Sequence, residues 1–521
     1  MRRYLVAAIV LCVVALSAQA IGFSAPLIVP GVPFKIVPLG YTVDPVNTQV
    51  TVAMFSDHVR FVGLADSCTV SGSSATCPGV KDLTFSAVAD DTMSGSRFQI
   101  MVYSLLNGVP EGDATIDWAT VYRTFFVTDT VDSLAGAIDQ ANLACRNDQP
   151  CMIAFRLGTP PESGYFTIRP KRGLPKITGT TISIDGTTQT GLTGDTNPDG
   201  PEVFIDGSDS ASEDAIVFDE PCGAELAGLA IGNFRNAAVT MNGNTHGGHA
   251  NDCTDSLNDS RSVHDNYLGV DPSGTHAAPN GRGVVLNETI YSATAFTNNL
   301  ISGNHRSGIW IGVAADNAIS GNTIGIDIHH QPLGNGASGI FVGPNASRVD
   351  ISGNYIAFNH DFGIAIDRRS FATEIGPNSI FANGQPGIDI GLDGPTPDSE
   401  TVPAPAVLSA HYDPTTDRTV IVLSSNETAP SVHPPKMTIY ASDAPHSSGY
   451  GDGQYLLGNF EFDGTQGNVT FAAIGDWSGK WVAATVTRSG PYDSLAVARP
   501  NAQLPGRAST TSEFSRAVKV E

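Results

Sequence analysis

The chain has 521 residues, a formal net charge of −24 and only 28 Lys and Arg, so it lacks the clustered cations of a nucleic-acid binder. Charged residues make up 15% and hydrophobic residues 41%, which is enough apolar material for packed cores and rules out a disordered chain. The 55 Gly exceed the usual share of about 7%, which favours turn-rich β structure and excludes a bundle of helices.

Residues 1–20 read as a signal peptide: Met1-Arg2-Arg3, an apolar run from Tyr4 to Leu16, then Ser17-Ala18-Gln19-Ala20 as the cleavage signal. The expected address is secreted, extracellular or periplasmic, with no transmembrane segment in the rest of the chain. Cys12 lies inside that leader. The other six cysteines predict disulfides, and proximity suggests Cys68–Cys77, Cys145–Cys151 and Cys222–Cys253 among fifteen possible pairings. Residues 21–127 alternate as short strands, such as Gln49-Val-Thr-Val-Ala53 and Phe98-Gln-Ile-Met-Val-Tyr103, which predicts an Ig-like β-sandwich. Ser133 is placed to N-cap a short helix with Leu134, Ala137, Ile138 and Ala141 on one face. Such a helix would cover the open end of the element that follows.

That element is a repeat. Asn299-Leu-Ile301-Ser-Gly-Asn304-His-Arg-Ser-Gly308-Ile309-Trp-Ile311 recurs from Asn354 to Ile366 and from Asn378 to Ile390, on the template N-x-[IL]-x-x-N-x-x-x-G-I-x-I. The anchoring glycines Gly283, Gly308, Gly339, Gly363 and Gly387 are spaced by 25, 31, 24 and 24 residues, one coil per unit. A unit this small cannot bury its own apolar face and must stack on its neighbours. Short strands then pair in parallel with the coils above and below, about 4.8 Å per rung, as a right-handed parallel β-helix. The Asn and Gly positions are expected to serve tight turns or positive φ. Two coils carry equivalent insertions, at Gly269-Val-Asp271-Pro and from Gly325 to His330, expected to project from the same side.

The Ser133-Leu-Ala-Gly-Ala-Ile-Asp-Gln-Ala-Asn142 start, Leu174-Pro-Lys-Ile-Thr178, Ile184-Asp-Gly186 and Asn383-Gly-Gln-Pro-Gly-Ile-Asp-Ile-Gly391 resemble secreted bacterial right-handed parallel β-helix proteins of the pectate-lyase-like superfamily. The closing Thr511-Ser-Glu-Phe-Ser515 resembles the end of a β-rich module that follows such helices. Together these imply an all-β chain: the signal peptide, the sandwich over 21–127, a β-helix with its cap helix over 128–400, and a C-terminal β-sandwich over 401–521. That last part resumes alternation with Val420, Val422 and Met437-Thr-Ile-Tyr440.

Alternation also sets which side chains face out. With Ile309/Ile311, Ile340/Val342, Ile364/Ile366 and Ile388/Ile390 inward, Trp310, Phe341, Ala365 and Asp389 form an outward column. Adjacent surface aromatics suit stacking on the apolar face of a sugar ring; alternatively, a loop or the C-terminal domain covers them. His305 and Arg306 occupy the same template positions as His360 and Asp361, two coils away, and Asp367 and Arg368 follow at the next turn. Trp310 and Phe341 with these six polar residues are the candidate binding site for an extracellular polysaccharide, and a solvated turn surface is the plainer account of the charged ones. No catalytic residue is assigned. A lyase needs a base, yet no Lys occurs between Cys222 and Glu400. A glycoside hydrolase needs paired carboxylates, for which Asp361, Asp367 and Asp389 are the nearest candidates. No cofactor is required, although Asp271 or Asp327 with turn carbonyls is where Ca²⁺ would sit. The function expected is binding, and in its stronger form processing, of polysaccharide along the helix face. The alternative is a non-catalytic surface or adhesive protein with the helix as a rigid spacer. The sequence sets no oligomeric state.

Overall fold

The computed structural model describes residues 22–24, 28–39, 41–90, 96–111, 114–145, 151–179, 181–219, 221, 223–243, 261–287, 294–395, 402–425, 434–462, 467–488 and 511–521. The leader, Cys222 and Cys253 therefore lie outside the described residues. No described helix is long and apolar enough to cross a membrane. The chain divides into two compact units, Met1–Thr124 and Phe125–Glu521.

The first unit is built from two antiparallel sheets. One runs in the order Gly22–Ser24, Phe34–Leu39, Phe85–Ala89, Val59–Phe61; the other contains the long strands Asp44–Met54 and Arg97–Leu106. Alternate residues Val50, Val52, Ile100 and Val102 are fully buried with Ile36 and Phe85, which is what period-2 patterning requires of a two-sheet sandwich. Cys68 and Cys77 are joined, clipping the hairpin of Thr69–Ser71 and Ser74–Gly79.

In the second unit the chain winds as a parallel β-helix with three sheets. Face 1 has nine strands and includes Thr294–Thr297, Ala315–Ser320 and Ser347–Ser352. Face 2 has eight and includes Leu300–Ile301, Thr323–Ile324 and Tyr355–Ala357. Face 3 has seven and includes Ile309–Ile311, Ile340–Val342 and Ile364–Ile366. From Thr181 to Ile390 each coil gives one strand to each face, and Ile301, Ile311, Ile324, Ile340, Ile356 and Ile366 fill the single core inside.

The template asparagines do something other than turn. Asn266, Asn299, Asn322, Asn354 and Asn378 form one column, in which each N–H donates to the side-chain Oδ1 of the next, at 2.9–3.1 Å. Asn280, Asn304, Asn335, Asn359 and Asn383 form a second column at 3.1–3.3 Å. None of the ten is more than 6% exposed, and none has positive φ; that conformation falls on the residue before in seven of them, as at Asn298, Gly321, Gly353 and Ala382. A buried amide with partners on both sides holds register where an apolar side chain could slide. The anchoring glycines are also not turn residues. A Cβ on Gly339 would stand 2.8 Å from Gly363 O and 2.9 Å from Asn359 Nδ2, so close approach of coil to coil is the reason for glycine there.

Each end of the helix is closed differently. At the start, the helix Ser133–Ala144 buries Leu134, Ala137, Ile138 and Ala141 in the same core as Ile153 and Phe155. Ser133 is not its N-cap: Asp132 holds that position without a side-chain bond, and the Ser133 hydroxyl turns back to donate to Asp129 O at 2.9 Å. The preceding turn is instead held by Asp129 Oδ1, which accepts from Val131, Asp132 and Ser133 N–H. Cys145 and Cys151 are joined just beyond. At the other end lie a three-stranded sheet (Ala406–Asp413, Arg418–Ser424, Asn468–Ile474) and a four-stranded one (Tyr455–Glu461, Lys436–Ser442, Trp481–Thr487, Val518–Lys519). Tyr440, Ala483 and Phe514 from this module join the helix core. Its segment 511–515 crosses the last coil: Thr511 Oγ1 accepts from Ile375 N–H (2.9 Å), and Glu513 Oε1 accepts from Ile390 N–H (2.9 Å). Ile380 and Gly453 exchange backbone hydrogen bonds at 2.8 and 2.7 Å.

Candidate functional site

On face 3 the register aligns Val285, Trp310, Phe341, Ala365 and Asp389 as one outward column. Trp310 and Phe341 are half-buried and stack on each other, with ring centroids 6.4 Å apart and planes within 4°. The Arg282 guanidinium lies 5.5 Å from the Trp310 ring centroid, a cation–π contact. The lower part of the column departs from expectation. Ala365 and Asp389 point outward yet are 1% and 0% exposed. Asp389 is closed over by the turn that follows it: its Oδ1 accepts from Leu392 N–H at 2.8 Å, while Oδ2 has no hydrogen-bond partner among the described residues. Burial pushes its carboxyl above the usual range.

The charged candidates flank this column on two edges. The asparagine ladder from Asn304 through Asn335 to Asn359 puts His305 and His360 two rungs apart, about 10 Å, on the edge where the chain enters face 3. His360 is paired to its neighbour Asp361 at 2.9 Å. Asp367 and Arg368 lie on the opposite edge, where the chain leaves; Asp367 pairs with Arg369 at 3.0 Å and Arg368 with Asp393. The six polar candidates thus border the aromatic strip without converging on one point. Arg306 and Arg282 are the exception. Burial, and then the Arg306 charge, holds the Arg282 guanidinium below its usual range, and neither has a carboxylate partner among the described residues.

Asp271 and Asp327 are occupied within their loops. Asp271 Oδ1 accepts from Ser273 Oγ (2.7 Å) and His276 N–H (3.3 Å), and Asp327 Oδ1 from His329 and Gln331 N–H at 2.8 and 2.7 Å. These are Asx turns that shape the two insertions, which stack through Ile328 N–H donating to Gly274 O. The described residues contain no cluster able to hold a metal ion.

Two groupings escaped the sequence reading. On face 1, His264 bonds Glu225 at 3.1 Å and Asp265 at 2.8 Å, and these carboxylates, Glu225 first, raise its pKa to about 9. Nearby, burial pushes the Asp185 carboxyl up. The strands Gly223–Ala227 and Arg261–His264 that pair to bring Glu225 and His264 together match the repeat template poorly, so the spacing did not align them. On face 2, a cleft of about 520 Å³ is lined by Phe358, Phe381, Asp443, His446, Asp452 and Gln454. Its two walls come from distant parts of the chain, so no local pattern announces it.

Residues 282–400 match the family described as right handed beta helix region. The described residues of this stretch form a right-handed β-helix. No curated protein matches the chain. Among solved structures, the tailspike protein gp49 of Acinetobacter baumannii bacteriophage Fri1, a capsular polysaccharide depolymerase, is similar at 9% identity and a TM-score of 0.25, over 80% of this chain and 92% of that one. The enzymatically active domain of bacteriophage CBA120 tailspike protein 2 is similar at 10% identity and 0.26, over 82% and 84%. The catalytic unit of a GH87 alpha-1,3-glucanase from Streptomyces thermodiastaticus is similar at 12% identity and 0.20, over 68% and 85%. At such scores these likenesses carry no argument about this chain.

Proposed function

We propose that this protein is secreted and binds an extracellular polysaccharide along face 3 of its β-helix, on the strip made by Trp310 and Phe341. The observation that carries this reading is the half-buried stacked pair with Arg282 and Arg306 beside it and, among the described residues, no carboxylate paired with them. Sugar C–H groups pack on aromatic surface, and guanidinium forks donate to ring hydroxyls or acidic substituents. The test is retardation of the full chain in gels cast with a panel of polysaccharides. The double variant Trp310→Ala, Phe341→Ala is expected to bind about tenfold more weakly, as loss of aromatic contact worth about 1.4 kcal/mol implies. Unchanged retention of the double variant on a polysaccharide the wild type binds would sink the assignment. Ultraviolet absorbance of unsaturated uronates in the same samples separates binding from lyase processing.

One observation favours the second reading, a non-catalytic surface protein with the helix as spacer. Trp310 and Phe341 spend one ring face each on the other, as a ladder that stabilises the sheet would.

A further inference from the structure

Face 2 carries its own string of rings. Tyr267, Leu300, Thr323 and Tyr355 are in register on successive rungs and point outward, with Phe381 paired to Ala357 on the last. The inserted loop at Gly325 folds over this face, and Tyr267, Leu300, Thr323 and His330 enclose a cleft of about 260 Å³. Tyr355 links it to the larger cleft of about 520 Å³: its ring meets His330 at 5.1 Å on one side and Phe381 at 5.2 Å on the other. Phe358 stands at 5.9 Å from Phe381, with planes 75° apart. From Tyr267 to the last rung is four steps, about 19 Å.

Two ring residues of this groove are held in a backbone conformation that disfavours them. His330 has φ +60° and Phe358 φ +58°. Phe358 directly precedes ladder residue Asn359, and the matching place before Asn304 is filled by Gly303 at φ +72°. Glycine would meet the needs of this turn without strain, so the turn itself gives no reason for a phenylalanine. Its ring lines the cleft, and there it has a use.

We propose that face 2 is a second glycan groove, for a neutral oligosaccharide laid across the rungs from Tyr267 to Phe358, with the C-terminal module as its far wall. The polar lining suits hydroxyls: Gln454 Nε2 donates to Asp443 Oδ2 at 3.1 Å, and Ser447 and His446 face the same space. Its charges argue for a neutral ligand. Asp443 is paired with Lys480, Asp327 is spent on its own loop, and an acidic sugar would meet carboxylates without a free cation among the lining residues. This groove lies on a different face from the Trp310 strip and stands or falls separately.

The test titrates the full chain with cellotetraose, laminaritetraose, mannotetraose and galactotetraose by calorimetry. Wild type is expected to bind at least one. Phe358→Gly relieves the backbone, so it should fold with an unchanged or higher melting temperature and bind at least tenfold more weakly. Leu143→Ala, on the exposed side of the cap helix and in neither binding face, should bind these sugars as wild type does. Wild-type affinity in Phe358→Gly overturns the proposal, as does failure of the wild type to bind any of the four. Equal weakening by Leu143→Ala also overturns it, because a loss shared with a residue far from face 2 is not a loss of this groove.

Discussion

The two ends of the β-helix face the same difficulty, an apolar core and unpaired strand edges open to water, and solve it by different chemistry. The first is plugged by Leu134, Ala137, Ile138 and Ala141, side chains with nothing to titrate. The last is closed mostly by hydrogen bonds, one device per face. A threonine hydroxyl serves Ile375 on face 1, a backbone exchange serves Ile380 on face 2, and a buried carboxylate serves Ile390 on face 3. Asp452 belongs to this closure too: it is 6% exposed, accepts from Ala382 N–H at 3.3 Å, and burial raises its pKa to about 7. An apolar plug is insensitive to solution conditions, whereas a polar clasp inherits the protonation of its groups.

The largest effect should come from the apolar end. Ile138→Ala is expected to destabilise the helix unit by about 3–4 kcal/mol in urea unfolding, equally at pH 5 and pH 8, because it leaves a cavity and removes no charge. A cost that varied with pH would break the contrast. At the polar end, Asp452 has a folded pKa raised from 3.8 to about 7. The unfolded chain releases this proton near pH 4 and the folded chain keeps it to about pH 7. Wild-type stability should therefore be highest below pH 4 with respect to this group, fall as pH rises through that window, and end up to about 4 kcal/mol lower. Asp452→Asn, an amide in place of the protonated acid, should flatten that fall, read as melting temperature against pH for the two proteins; identical slopes would remove Asp452 from the account. The smallest change is Thr511→Val, which takes the hydroxyl from Ile375 N–H and should cost about 1–2 kcal/mol in urea unfolding at any pH. No cost would mean that the backbone exchange at Ile380 and the carboxylate at Ile390 suffice to close the clasp.

Much of the fold was legible because the coil repeats. The spacing of Gly308, Gly339 and Gly363 announced the coils, and the alternation at Ile309-Trp-Ile311 placed Trp310 and Phe341 on neighbouring rungs, as found. Alternation says which side a residue faces but not what lies over it, which is why Asp389 was expected at the surface and is buried. The role of the asparagines was hidden for a similar reason. Each amide's partner is a coil away, so in one chain a ladder and a row of turn residues show the same spacing. The polar clasp and the face-2 cleft were out of reach altogether, since Glu513 meets Ile390 across 123 residues and no short-range pattern encodes that contact.

The asparagine columns also set where this molecule can grow. In the coils of Asn299–Asn304, Asn354–Asn359 and Asn378–Asn383 the two columns are five residues apart, yet the chain from Asn266 to Asn280 and from Asn322 to Asn335 is far longer and both columns pass through undisturbed. Extra length leaves the stack between the face-2 strand and the second column and does not disturb its neighbours. A designer wishing to graft a foreign loop has a ready address at His329, exposed at the tip of an existing insertion where the chain has already left the stack.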